Sequence, residues 1–241
     1  MKAVSKTDIG LSRSSNQDSC GCGLLPDGAW MVVCDGMGGA NGGNVASQIA
    51  LSCMEEQINQ EYQEGLDSSA IRNLLTSAAY TANSQIYDAA MQDPQLFGMG
   101  TTLVAVIATR GRAHIVHAGD SRAYHLFPGG VRQLTMDHSM VQEMLNRGEI
   151  SQEEAFYHPH KNIITRALGV QEMIDVDYTE LEFGVGESLL ACSDGLSNYV
   201  HAEQMYQYAS ACHGEELADA LIQAALAGGG GDNISVALIE N

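Results

Sequence analysis

The chain has 241 residues, 45% hydrophobic and only 17% charged, enough apolar material for a full core and too much for a disordered segment. Against 30 Asp and Glu stand 11 Lys and Arg. The net charge of −19 argues against a nucleic-acid partner and against an anionic membrane surface. The opening MKAVSKTDIG lacks the apolar core of a signal peptide, and no run approaches the roughly 18 residues of a membrane helix. The six cysteines form no C-x-x-C pair. A reduced, cytoplasmic protein without membrane insertion is expected. No amphipathic surplus marks an interface, so a monomer is expected too.

In chain order, Val32 to Asp35 reads as a buried strand running into a loop with five glycines, GMGGANGG. Helical spacing starts at Asn44 and carries Ala46, Ala50, Met54, Ile58 and Tyr62. A second helix follows Asp67-Ser68-Ser69, with Ile71, Leu75, Ala82 and Ile86 on one face, and stops before Pro94. From Thr101 to Thr135, β-rich runs broken at Arg110-Gly111 and at Pro128-Gly129-Gly130 read as antiparallel hairpins. Asp137 to about Glu149 reads as helix, and 150–165 as polar, irregular and His-rich. SLLACSDG is a strand ending in Asp, 202–227 is helical up to four glycines, and NISVALIE closes as a strand. Strands and helices come in blocks, which favours an α+β fold with antiparallel sheets, organised as one domain over 1–241.

Four aspartates share one local setting. Asp35 and Asp194 end apolar strands, Asp120 follows HIVHAG, and Asp232 stands between glycines and the last strand. A carboxylate there is costly to desolvate unless it is paired or bound to a cation. Taken singly, each reads as a turn residue; together, with few Lys and Arg to pair them, they point to divalent metal held by oxygen, Mg²⁺ or Mn²⁺ rather than zinc. Glycines beside Asp35 would let backbone approach a metal or a phosphate. Two ions about 3.5–4 Å apart could share Asp35. Arg13, in RSSNQD, either offers a guanidinium fork to phosphate oxygens or is a surface residue of an N-terminal strand.

RSSNQD (13–18), DGMGG (35–39), GMGTTL (98–103), AGDSRAY (118–124), LTMDHS (134–139), ITRALG (164–169), CSDGL (192–196) and GGGDNIS (229–235) occur in one order. The series resembles that of the metal-dependent protein phosphatases, the type 2C Ser/Thr phosphatases, from about residue 5 to 239. The spellings DGMGG and NQD resemble the bacterial stand-alone members. The resemblance implies a four-layer α-β-β-α sandwich with metals at one end. It implies that Asp35 bridges two core Mn²⁺ or Mg²⁺ ions, that the Gly36 carbonyl reaches one of them, and that Asp194 and Asp232 complete the first site. Asp120 with Asp194 would hold a weaker third ion. Asp18 would act one layer behind, Arg13 would bind phosphate, and about 138–165 would form a flap over the cleft. The implied reaction is one in-line displacement at phosphoserine or phosphothreonine by a hydroxide bridging the two ions, without a phospho-enzyme. The implied partners are phosphorylated proteins and a cognate Ser/Thr kinase.

Other chemistries fit less well. GDSRA and ACSDG each miss one glycine of the serine-hydrolase elbow and lack a clear following helix. No G-x-G-x-x-G and no G-K dipeptide supports a nucleotide site. A non-catalytic phosphoprotein-binding relative would be marked by a lost Asp ligand, and none is lost. Two positions depart from the family pattern: Ala40 and Asn41 stand where a histidine is usual, and Asn44 replaces the usual glutamate. The general acid then falls to metal-bound water, His138 or His158. Restoring histidine with Ala40→His is therefore expected to raise turnover of alkyl phosphates more than of aryl phosphates, whose leaving groups need little protonation. Steady-state rates on phosphoserine and p-nitrophenyl phosphate check this; equal gains on both would refute it.

Overall fold

The computed structural model describes residues 1–109 and 111–241, with the backbone alone at Gly39, Ala40, Asn41 and Phe156. Arg110, half of one expected break, and the side chains of Ala40 and Asn41 thus lie outside the described residues. Two antiparallel sheets face each other. One runs β1 (Lys2–Asp8), β11 (Ile234–Glu240), β10 (Ser188–Cys192), β7 (Arg122–Phe127), β8 (Gly130–Gln133) across its width. The other runs β2 (Asp18–Leu25), β3 (Gly28–Met37), β5 (Leu103–Thr109), β6 (Gly111–Ala118), β9 (Asp177–Phe183), with the two-residue β4 (Gly100–Thr101) on the end of β3.

Alternation along the strands explains the layers. Every second residue of the central strands turns inward, so Met31, Val33, Val104, Val106, Ile115, Ala191, Ala237 and Ile239 fill the space between the sheets. Their neighbours turn outward: Val32, Ala105, Ile107 and Val116 pack under α1 (Gly39–Glu61) and α2 (Ser68–Gln92). On the opposite face Leu190, Val236 and Leu238 pack under α6 (Ala202–Ala211) and α7 (Gly214–Gly228). Both faces of each sheet are covered, which is why these strands read as unbroken apolar runs. The four layers are those implied by the resemblance. Among the described residues no helix is long and apolar enough to cross a membrane.

The glycine stretch is not a loop. Strand β3 continues to Met37 and α1 opens at Gly39, so Gly38 alone joins them, at φ +118°. The helix begins before the spacing at Asn44 announces it. A Cβ on Gly36 would lie 2.0 Å from the Gly43 carbonyl oxygen, and one on Gly43 would lie 2.6 Å from that of Gly36. The glycines thus let the end of a strand and the first turn of its own helix touch backbone to backbone.

Other elements are shorter than their patterns. The helix expected over 137–149 is α3 (Met140–Asn146), capped by the Ser139 hydroxyl. The irregular 150–165 holds α4 (Gln152–Phe156), closed by a capping box between Ser151 and Glu154. The helix expected over 202–227 is two, because Cys212 is extended and α7 restarts after His213. A one-turn helix, α5 (Asp194–Ser197), starts inside ACSDG at its aspartate. Ile115 is fully buried between the sheets. Ile115→Ala should cost about 2–5 kcal/mol, measured as a lower urea midpoint with an unchanged slope.

Candidate active site

Antiparallel pairing gathers the acidic residues. Where one strand ends its neighbour begins: Asp18 opens β2 opposite Asp35 near the end of β3, and their Cα atoms are register partners. Asp194 lies just past β10 and Asp232 just before β11, which pair together. Asp120 lies in the connection between β6 and β7, where the chain crosses from one sheet to the other. Residues scattered over more than 200 positions therefore meet at one end of the sandwich. Asp35, Asp120, Asp194 and Asp232 line one polar cavity of about 540 Å³ with Arg13, Gly36, Thr102 and Asn162. Asp18 sits behind it, 7% exposed, its carboxylate accepting the Ser193 hydroxyl at 2.7 Å.

Side chains outside the acidic set hold this end together. Asn233 donates to the Ile9 and Ser15 carbonyls, and its Oδ1 accepts the Gln17 N–H, which pins the segment carrying Arg13. Arg13 reaches Asp232 at 2.7 Å and remains half exposed at the cavity wall. The Asp35 N–H donates to the Thr102 hydroxyl at 2.9 Å, while the Thr102 N–H returns a bond to the Asp35 carbonyl. Asn198 donates to Asp194 Oδ2, and Lys161 in turn donates to Asn198. Thr102 and Asn233 fall inside the motifs GMGTTL and GGGDNIS without a role being read from them, and for Asn198 proximity to Asp194 is the only signal.

Proton affinity shows how unfavourable the gathering is. Burial, then the charges of Asp18 and Asp194, hold the Asp35 carboxyl well above the usual range. Burial raises Asp18 to about 7 despite hydrogen bonds from Ser193 and Ser235. Burial and Asp194 raise Asp120 to about 8. Asp194 is raised by burial and by Asp232. Asp194 Oδ1 is buried, and among the described residues nothing donates to it. Arg13 is the one cation among the lining residues, and it is engaged by Asp232.

These features fit divalent cations. An orphaned buried carboxylate oxygen, mutual repulsion and a lining with four aspartates and neither His nor Cys call for a hard ion. Among the described residues, no three of these carboxylates bring ligand oxygens within 4.8 Å of one another. That spacing suits ions that keep part of their water shell. A separate trio, His117, His138 and Asp177, is that close, but its hydrogen bonds oppose ligation. His117 Nε2 donates to the Met136 carbonyl, and His138 Nδ1 accepts the Gly119 N–H, leaving its proton on Nε2 toward Asp177.

The structure brings neither expected histidine to the cavity. His138 is stacked on His117 behind the Asp120 turn, and His158 is tied to the His160 N–H; neither is among the lining residues. Ser193 and Ser121 are no nucleophiles either. Both are buried, bonded to Asp18 and Thr102, and α5 does not change that.

A carboxyl whose folded pKa is raised adds stability below its unfolded value, about 3.9, and that stability is lost as pH climbs through the folded value. With Asp18 near 7 and Asp120 near 8, the metal-free protein should lose thermal stability between about pH 6.5 and 8, above the range in which His114, His117 and His138, lowered by burial, gain it. Asp177 and Glu187, whose values are lowered, act only below that window. Excess Mn²⁺ should restore the loss at pH 8, and Asp120→Asn should flatten it. Melting curves across pH in EDTA test this; a melting temperature that rises with pH over that window would refute it.

The protein phosphatase 2C family model matches residues 12–227. The chain is 41% identical over 242 residues to a serine/threonine phosphatase stp of Listeria welshimeri, covering all of this chain and 96% of the relative. It superposes on the crystal structure of the Mycobacterium tuberculosis serine/threonine phosphatase PstP/Ppp with a TM-score of 0.90, at 35% identity, over all of this chain and 99% of the other. A structure of the PstP catalytic domain in complex with two manganese ions matches with a TM-score of 0.85, at 34% identity, over 98% of this chain and 96% of the other. A family model spanning nearly the whole chain and full-length similarity agree: the chain belongs to the protein phosphatase 2C family.

Proposed function

We propose that the chain is a metal-dependent protein serine/threonine phosphatase acting as a single catalytic domain on phosphoserine and phosphothreonine in proteins. The observation that carries this is the polar cavity at the sandwich end, where four aspartates and one arginine converge in a protein phosphatase 2C chain. Asp35 would be shared by two core Mn²⁺ or Mg²⁺ ions, with Asp194, Asp232 and the Gly36 carbonyl completing their protein ligands. Asp120 with Asp194 would hold a weaker third ion. When bound, such ions supply a water-derived nucleophile at neutral pH and neutralise charge on phosphoryl oxygens.

The chain's own residues do the rest. Arg13, held by Asp232 at the wall, swings its guanidinium fork onto the phosphoryl oxygens and orients the phosphorus for in-line attack. Asn233 keeps that arginine's segment in place, so the fork meets its target with little loss of freedom. Asp18, hydrogen-bonded to Ser193, orders water behind Asp35. No side chain is required as nucleophile, and the leaving alkoxide takes its proton from water in the cavity, since neither histidine lines it.

Phosphate release from a phosphothreonine peptide should require Mn²⁺, stop with EDTA, and fall at least about 100-fold in Asp35→Asn. Its absence under every condition, with an intact fold, would move the chain to a phosphoprotein-binding role.

A further inference from the structure

Beside the catalytic cavity lies a second groove of about 360 Å³, and the two share a wall, since Met37 and Ile164 line both. Its remaining apolar lining is Ala167, Val170, Met173 and Ile174. Met173 is 83% exposed and Val170 46%, a large uncovered apolar surface next to a polar site.

The groove is built rather than loose. Leu168 pairs with Thr101 through two backbone hydrogen bonds, 2.9 and 3.1 Å. The buried Asn83 of α2 accepts the Gly169 N–H and donates to the Gln171 and Glu172 carbonyls. Met37 and Val170 meet over Gly100, where a Cβ would come within 2.9 Å of both side chains. The one cation in the lining, Arg166, is engaged by Asp177 at 2.7 Å, while Asp175 adds a negative charge. An acidic side chain would be repelled there and an apolar one welcomed, with two methionines adapting to its shape.

We propose that this groove binds an apolar side chain lying within two residues of the phosphorylated one, so that Met173, Val170 and Ile164 select the substrate sequence. The inference rests on the phosphatase reading above. A substrate chain must leave the catalytic cavity on some side, and on this side Met37 and Ile164 border both the cavity and the groove. In an extended peptide, side chains two residues apart share a face about 7 Å apart. The phosphoryl group and the apolar anchor therefore occupy adjoining pockets at the same time.

The test uses the Mn²⁺-loaded full chain and phosphothreonine peptides with neutral flanks. Leucine, alanine or glutamate is placed at each of the two positions on either side. Leucine at one position should raise kcat/KM about five- to tenfold over alanine, and glutamate there should lower it. Met173→Asp should bring that leucine-to-alanine ratio within about twofold. Val185→Asp, an equal charge at a 90% exposed site outside both cavities, should keep it. p-Nitrophenyl phosphate, which has no flanking residue, reports on the parent reading. If it is hydrolysed but leucine gains nothing at any position, or Met173→Asp keeps the preference, the groove assignment is wrong. If it is not hydrolysed, the phosphatase reading fails and the groove assignment with it.

Discussion

Repulsion among the aspartates at one end of the sandwich is the constraint on which the rest of this structure turns. Asp35 lines the cavity, and burial together with Asp18, Asp194, Asp120 and Asp232 raises its proton affinity. Such a cluster persists only if rigid elements hold it, because a flexible scaffold would let the charges separate. The rigidity comes from pairing. Each aspartate sits within or close to the end of a paired strand, so drawing their backbones apart means breaking a sheet.

The same constraint explains details that look unrelated. Gly36 and Gly43 bring β3 and α1 into backbone contact. No side chain there displaces Asp35 from the cavity, and the backbone of Gly36 stays open to it. Gly195 has a similar duty: a Cβ on it would lie 1.9 Å from the Asn233 carbonyl oxygen. That contact locks the turn after Asp194 to the residue after Asp232. Asn233 then extends the lock to the Arg13 segment. Two neighbouring strand ends and one loop are thus tied by one amide and one missing methyl group.

Much of this was legible in the sequence, because antiparallel strands leave short-range marks. The hairpin at Pro128-Gly129-Gly130, the strands ending in Asp35 and Asp194, and the two long helices follow from apolar runs and punctuation. The four aspartates could be grouped because each follows or precedes such a run. The lost elements fail for physical reasons. Strand β2, DSCGCGLL, is half-buried and rich in glycine, and β9, DYTELEF, turns acids outward at a sheet edge, so neither forms an apolar run. The split of 202–227 at Cys212 leaves no mark in the apolar periodicity. His138 is a candidate from sequence because Ala40 and Asn41 leave the glycine stretch without a histidine. Its burial depends on stacking against His117, a strand away, and no local pattern records that.

The acidity of the chain bears on how a phosphorylated substrate reaches this site. A charge of −19 would repel a dianionic phosphoryl group at long range, but in physiological salt the interaction decays over about 8 Å. Only charges around the mouth then count, and there the distribution differs from the average. Arg13 on the N-terminal segment and Lys161 shortly after α4 stand near the cavity, and Arg166 stands on the adjoining groove. Three of the chain's 11 basic residues are therefore gathered at the site, each already engaged by a polar partner: Asp232, Asn198 and Asp177. Lys161 and Arg166 are held by partners outside the acidic set and Arg13 by Asp232, one of its members, and each can still share its remaining donors with an incoming phosphate. Global negative charge and local positive donors are thus compatible. The first disfavours self-association, and the second bears on what can approach the cavity.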